Sequence, residues 1–304
     1  MISCEQKREL RRNLAEFLYE DEPLAAKTTL KTGGPAEIFI QPVNLTELQQ
    51  VLKVLADIEL GFLLLGGGSN MLVADQGVRG KAVISLGRGF KEFTISGADK
   101  YSVMVRAGAG MPLTGLIRTA VIGGYSGLEK LTGIPGTLGG ALAMNAGAYG
   151  STIYDKLTAL VLIKNGVMSW VAATDLNPVY RDGGLSDNDI VVAAYFHLQR
   201  KLAAEIAVSA AEIRQLRRQY MPKGASAGSV FKNPSGDFAG RLLEEAGCKG
   251  LTCGGARVAS EHANVIVAEK YAKSQDIIDL MGKMHALVRK KFNVDLEPEI
   301  KVVS

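Results

Sequence analysis

Apolar residues recur at helical spacing in several stretches of the chain. Leu10, Leu14, Phe17 and Leu18 share one face of a helix predicted over residues 5–20. Leu45, Leu48, Val51, Leu52 and Leu55 mark a second over 44–57, with Asn44 placed as its N-cap. A third is predicted over Leu113–Ile122. The longest runs over Ser274–Phe292, with Ile277, Met281, Met284, Leu287 and Val288 inward. Between them lie shorter strand-like runs at 37–41, 62–65, 71–73, 82–86, 93–95, 103–106, 158–164 and 190–199. They follow no regular strand–helix–strand repeat, which disfavours a doubly wound parallel sheet. No solenoid-type repeat is present.

Composition narrows the class. Apolar residues make up 47% and charged residues 22%, as in a globular enzyme rather than a disordered chain. No run reaches the ~18 apolar residues of a membrane helix, and the N-terminus lacks the apolar segment of a secretory signal. The net charge of +4 does not argue for nucleic acid. Three cysteines, an odd number, fit a reducing compartment better than a disulfide scaffold. The three histidines share no metal-ligand spacing and the pair Cys248-x4-Cys253 lacks partners, so no metal is predicted. Near residue 200 the glycines thin out, basic residues gather over 200–223 and long helical patterns begin, which sets a domain boundary there.

Glycine is the unusual residue, with 35 in 304. Gly66, Gly67 and Gly68 follow a short apolar run and precede Ser69 and Asn70. Such a turn lets backbone N–H groups converge on an anion. It is neither a Walker loop nor a dinucleotide fingerprint, since no Gly-Lys-Ser/Thr follows and Met71 stands where a third glycine belongs. A plain turn fits it equally well. The second cluster runs from Gly133, Ile134, Pro135 and Gly136 through Gly139 and Gly140 to Asn145, Ala146 and Gly147. It is too rich in glycine to be helix or strand throughout. It suits either a flat ligand lying on backbone or a tightly packed loop crossing.

These two clusters occur in order with Tyr180-Arg181-Asp182, Ala227-Gly228-Ser229-Val230-Phe231-Lys232-Asn233-Pro234, Ala239 to Gly247, His262-Ala263-Asn264 and Leu296-Glu297-Pro298-Glu299-Ile300. Together they resemble the UDP-N-acetylenolpyruvoylglucosamine reductase family, across about 270 residues. The resemblance implies an α+β chain with the FAD-binding fold of vanillyl-alcohol-oxidase-like flavoproteins and a C-terminal α+β substrate domain. The implied organisation is an N-terminal helical segment at 1–30, an FAD-binding domain at 31–200 (subdomains 31–75 and 76–200) and a substrate domain at 201–304. Only a short polar turn, Asp182–Asp189, separates Tyr180-Arg181 from the strand at Ile190, so the chain resembles the shorter, type II branch.

What the resemblance implies for chemistry is an NADPH-dependent reduction of UDP-N-acetylglucosamine enolpyruvate to UDP-N-acetylmuramate through noncovalent FAD, in peptidoglycan precursor synthesis. The first loop, Gly66 to Asn70, would hold the FAD diphosphate, and the second cluster would line the flavin. Arg181, Ser229 and Glu299 match the family's catalytic residues. An arginine fork suits a carboxylate. Glu299 would help polarise that carboxylate, from a strand whose other face carries Leu296, Pro298, Ile300 and Val302. Ser229 matches the proton donor, a role its hydroxyl alone would not suggest. Lys232 and Asn233 are substrate-binding candidates, and Tyr149 and Tyr154 suit either stacking or core packing. The implied partner is a small sugar nucleotide, with no nucleic acid, membrane or obligate protein partner. A nucleotide substrate and the lack of a signal-like N-terminus would place the chain in the cytoplasm. The chain departs from the family at Gly183-Gly184, where a serine usually stands two residues after the arginine, and also at Asn177 to Val179, at Val265 and at the C-terminus. The alternatives are another FAD-linked oxidase of the same superfamily and a non-catalytic flavin-binding protein.

Overall fold

The computed structural model describes residues 1–304. Packing divides them into two compact units, each assembled from separated stretches. The first comprises Met1–Tyr19, Ile38–Gly67 and Gly80–Arg217; the second comprises Glu20–Glu37, Gly68–Arg79 and Arg218–Ser304. This grouping differs from the linear division at residues 30 and 200.

In the first unit, an antiparallel sheet runs in the order Val167–Ala172, Leu157–Lys164, Ile190–Arg200, Ser102–Gly108, Phe93–Ala98, with Tyr125–Ser126 paired to the end of Ile190–Arg200. The strand Ile190–Arg200 is covered on both faces only over its first half: residues 190–194 are buried in succession, whereas His197 and Gln199 are exposed and alternate with buried Phe196 and Leu198. Ala194, Phe196 and Leu198 face a core built with Leu113, Leu116, Leu138 and Leu142. Ile190 and Val192 instead join Leu10, Leu14, Leu48, Val51, Ile38, Ile40, Ala82 and Ile84 in a second core.

The helices Leu45–Asp57, Leu113–Ile122 and Ser274–Phe292 form as their periodicity predicts, and Asn44 caps the first through Glu47 N–H (2.9 Å). The helix expected over 5–20 is shorter. It spans Cys4–Leu14, opened by a reciprocal Ser3/Gln6 capping box. One tight turn follows, and Leu18–Pro23 is a strand. The cause is Phe17: its side chain is buried in the second core while its carbonyl accepts Gln41 N–H (2.9 Å), which draws the chain into extended pairing.

In the second unit a small antiparallel sheet, Thr252–Cys253, Ala256–Val258 and Ile266–Ala268, packs with helices Ala239–Glu245 and Ser274–Phe292. Met71–Val73 pairs in parallel with Lys301–Val303. The Asp75 carboxylate accepts the N–H groups of Ser274 (2.8 Å) and Gln275 (3.1 Å), and the Ser274 hydroxyl donates to Val73 O. These bonds explain why 68–79 groups with the C-terminal residues. Leu287, expected inward, is exposed, and Leu280 takes the buried place.

Candidate functional site

In the first unit the chain leaves Phe62–Leu64 through Leu65, whose N–H donates to Ile84 O (2.8 Å). Gly66 and Gly67 then lie directly against the second glycine cluster. A Cβ on Gly66 would come within 2.6 Å of Thr137 Oγ1, and one on Gly67 within 2.6 Å of Gly136 Cα. No side chain can enter there, so glycine is required at both positions by contact rather than by turn geometry. The second cluster is itself fixed by backbone bonds: Leu113 N–H to Gly136 O (2.9 Å), Leu138 N–H to Met111 O and Gly139 N–H to Ala109 O (both 2.8 Å). Gly133 and Gly136 take positive φ, flanking Ile134 and Pro135. Leu138–Ala143, with Gly139 and Gly140, is a short helix capped by Thr137. The expected irregularity is therefore confined to the two sides of that turn.

Asn145 is buried at φ 41°. Its Nδ2 donates to Val179 O (2.9 Å), and its Oδ1 meets no hydrogen-bond donor. Ala146 and Gly147 lead into a hairpin, Gly147–Ala148 against Ser151–Thr152. Tyr149 and Gly150, both at positive φ, form its two-residue tip. Tyr149 is exposed there.

Arg181 sits at the tip of a second tight turn. Val179 and Asp182 exchange both backbone bonds (2.8 and 3.1 Å), leaving only Tyr180 and Arg181 between them. Arg181 takes φ 60°, uncommon for a residue with a side chain. Its Nη1 donates to Gly147 O (3.3 Å), and the guanidinium lies 5.1 Å from the Tyr180 ring centroid.

The second unit holds the other half of the first loop. Gly68 has φ 58° and would place a Cβ 2.3 Å from Lys27 O; its carbonyl accepts Thr29 N–H (3.1 Å). Beyond Ser69, Asn70 binds the C-terminal segment at two points: its Nδ2 donates to Glu299 O (2.9 Å) and its carbonyl accepts Lys301 N–H (3.0 Å). Glu299 N–H in turn donates to Val230 O (2.7 Å), and Lys232 N–H to Glu297 O (2.8 Å). Ser229 and Glu299 thus lie on neighbouring backbone segments, both half-buried. The strand itself starts only at Lys301. The alternation expected from Leu296 to Val302 is consequently partial: Leu296 and Ile300 are buried, whereas Val302 is exposed.

Lys232 Nζ pairs with Glu297 (2.6 Å). Asn233 Oδ1 accepts Ala239 N–H (3.1 Å), so its side chain serves the start of the helix Ala239–Glu245. Asn264 stands in the sequence only as part of the His262-Ala263-Asn264 motif, with no role of its own. It is buried and clamps Phe231: Phe231 N–H donates to Asn264 Oδ1 (3.0 Å), Asn264 Nδ2 donates to Phe231 O (2.8 Å), and Asn264 O accepts Val230 N–H (2.8 Å). An amide inside the apolar run Ala263–Val267 was the available signal, since a buried amide needs partners. Tyr154, expected to stack or to pack in the core, packs against the first unit's core, and its hydroxyl also donates to Gly183 O (2.9 Å).

A flavin dinucleotide needs close backbone approach and open polar atoms. The Gly66–Gly68 N–H groups donate to no backbone acceptor, and Asn145 Oδ1 and Thr132 Oγ1 are buried without a partner in the first unit. These residues fit FAD, and nothing in Gly66–Asn70 could form a covalent link to it.

Comparison with known proteins agrees. Residues 36–167 match the FAD binding domain family, and residues 219–303 match the C-terminal domain of UDP-N-acetylenolpyruvoylglucosamine reductase. The chain is 38% identical to UDP-N-acetylenolpyruvoylglucosamine reductase 1 of Bacillus cereus over 93% of both chains. It is 37% identical to the Geobacter metallireducens reductase over 97% of this chain and 96% of the relative. The crystal structure of the Thermus caldophilus enzyme superposes with a TM-score of 0.82 at 35% identity, covering 95% of this chain and all of that one. The chain belongs to the UDP-N-acetylenolpyruvoylglucosamine reductase family of FAD-dependent oxidoreductases.

Proposed function

We propose that this protein reduces UDP-N-acetylglucosamine enolpyruvate to UDP-N-acetylmuramate at the expense of NADPH, in the cytoplasm, as a step of peptidoglycan precursor synthesis. FAD, when bound, would relay the reducing equivalents between the two substrates. Gly66, Gly67 and Gly68 would receive its diphosphate on open N–H groups, with Ser69 and Asn70 beside them. The second cluster, Gly133 to Gly147, would receive the flavin. The first unit would thus serve the cofactor, and the C-terminal residues of the second would serve the sugar nucleotide.

The chain's own residues divide the remaining work. Arg181 would bind the enolpyruvyl carboxylate with its fork of donors and stabilise the negative charge that develops there. Glu299 would help polarise the substrate carboxylate. Ser229 Oγ would deliver the final proton to carbon. A hydroxyl suffices for this because placement dominates over acidity when the acceptor is a strong carbon base. Lys232 would meet the diphosphate. Asn233, engaged at Ala239 N–H, would contribute mainly by fixing the loop.

The observation that carries the reading is the backbone link from Val230 to Glu299, which holds Ser229 and Glu299 on adjoining segments in a chain with near-full-length reductase relatives. The test is an anaerobic titration: NADPH should bleach the bound flavin, and UDP-N-acetylglucosamine enolpyruvate should then restore its absorbance without oxygen. Bleaching with no substrate-driven recovery would refute the proposed substrate.

A further inference from the structure

Four side-chain and backbone contacts of the first unit converge on the turn that carries Arg181. Val179 and Asp182 close the turn, and Arg181 at its tip is held in a left-handed conformation. Left-handed backbone strains a residue with a side chain, so it persists only if the surroundings enforce it. On the entering side, Asn145 Nδ2 donates to Val179 O (2.9 Å). On the leaving side, Gly183 N–H donates to Ala143 O (2.9 Å) and Tyr154 Oη donates to Gly183 O (2.9 Å). Both strands of the turn are therefore tied to one stretch, Ala143 to Tyr154, which also provides Gly147 O for the Arg181 guanidinium (3.3 Å).

Gly183 is specific to this arrangement. A Cβ there would lie 2.1 Å from Leu142 O and 2.8 Å from Tyr154 Oη. A side chain at 183 and the Tyr154 hydroxyl exclude one another. The chain has glycine at 183 and a phenol reaching into the space a side chain would take. Burial, with the Asp182 charge nearby, pushes the Tyr154 phenol up to about 12, so it stays a donor throughout the working pH range.

We propose that Tyr154 is a positioning residue for Arg181: its hydroxyl, bonded to Gly183 O, fixes the leaving strand of the Arg181 turn and so the direction of the guanidinium. The inference rests on the catalytic role given to Arg181 above. It makes Tyr154 a determinant of the substrate half-reaction although its hydroxyl is spent on a backbone carbonyl.

The test compares Tyr154→Phe with the wild-type holoenzyme in both half-reactions by anaerobic stopped flow. Flavin reduction by NADPH should stay within about twofold. Reoxidation by UDP-N-acetylglucosamine enolpyruvate should slow by about 10- to 100-fold, the scale expected from misplacing a binding group by up to an ångström. In an Arg181→Gln background the same change should alter reoxidation by less than about twofold, because there is no guanidinium left to misdirect. A second readout needs no turnover. In spectra of 15N-arginine-labelled protein, the Arg181 Nε–H signal (identified by its loss in Arg181→Lys) should shift in Tyr154→Phe while other arginine signals stay put. Equal loss in both half-reactions, the same slowing in the Arg181→Gln background, an unmoved Arg181 signal, or failure of Tyr154→Phe to fold would each overturn the inference. If wild type itself is not reoxidised by the enolpyruvyl substrate, the proposed function falls instead, and the arginine spectrum still decides the positioning role.

Discussion

Asn264→Ala removes the two side-chain bonds that clamp Phe231 and adds none. Phe231 is 1% exposed and Asn264 2%, so the Phe231 N–H and C=O would both be left without partners inside the second unit's core. Each orphaned group costs about 1–3 kcal/mol, which predicts a loss of about 2–6 kcal/mol. Against the ~5–15 kcal/mol of a typical domain, that would leave the unit marginal. Asn264→Asp separates the two bonds. Its carboxylate still accepts Phe231 N–H but turns a charged oxygen toward Phe231 O. Burial and that carbonyl raise the new carboxyl's pKa above its unfolded value. The folded state then binds more protons than the unfolded one in the window above the ordinary ~3.9. Stability of Asn264→Asp should therefore fall as pH rises through that window, and recover on acidification, when a protonated oxygen can donate. The assay is urea denaturation followed by hydrogen exchange on peptides spanning 225–235 and 296–302. Trp170, the single tryptophan, lies in the first unit, and its fluorescence serves as the internal control. A loss below about 1 kcal/mol in Asn264→Ala, or loosening that appears equally at Trp170, would refute the clamp.

Gly67→Ala should purify with little flavin, because the new methyl meets backbone Gly136 Cα at 2.6 Å and neither side can move aside; the ratio of flavin to protein absorbance measures it. Ser229→Ala should leave NADPH-driven flavin reduction nearly intact and slow substrate-driven reoxidation by several orders of magnitude, about 10²–10⁴-fold for a lost proton donor; equal losses in the two halves would remove Ser229 from that role. His262 is held below the ordinary histidine range, first by burial and then by the Lys249 charge. Its unfolded form takes up a proton near ~6.5 while the folded form resists, so stability should drop as pH falls from about 7 toward 5. His262→Gln should flatten that drop in urea midpoints measured across the range.

Helices with a dedicated apolar face were legible in the sequence, as Leu45–Asp57 and Ser274–Phe292 show. Their burial depends on one face and little else. The N-terminal boundary was not, because Phe17 continues the helical period while its carbonyl is claimed by Gln41 from another segment. Val167–Ala172 was missed as a strand for a related reason: most of its side chains are exposed, so no alternation marks it. The turn Asn165-Gly166, both at positive φ, was its only local sign. The two-unit grouping was hidden too, since the bonds from Asp75 to Ser274 and Gln275 cross about 200 positions of sequence.

The site shows the same divide between what residue type reveals and what it hides. Gly66 and Gly67 were conspicuous because a contact that forbids Cβ leaves only one residue type, and Gly136 because its φ of 105° favours glycine; both requirements are written in the sequence as glycine. Asn264 and Tyr154 were not conspicuous, because each bonds to backbone atoms, and a backbone carbonyl is the same whatever residue bears it. The consequence reaches the chemistry. Val230 and Glu299 are joined through main-chain atoms, and Asn70 holds the Glu299 carbonyl. The Ser229 side chain is therefore carried on a frame that does not depend on it. Replacing it should alter reaction rates with little change in stability. Replacing Asn264 or Tyr154 should reveal the frame itself, through stability for the first and through the direction of Arg181 for the second.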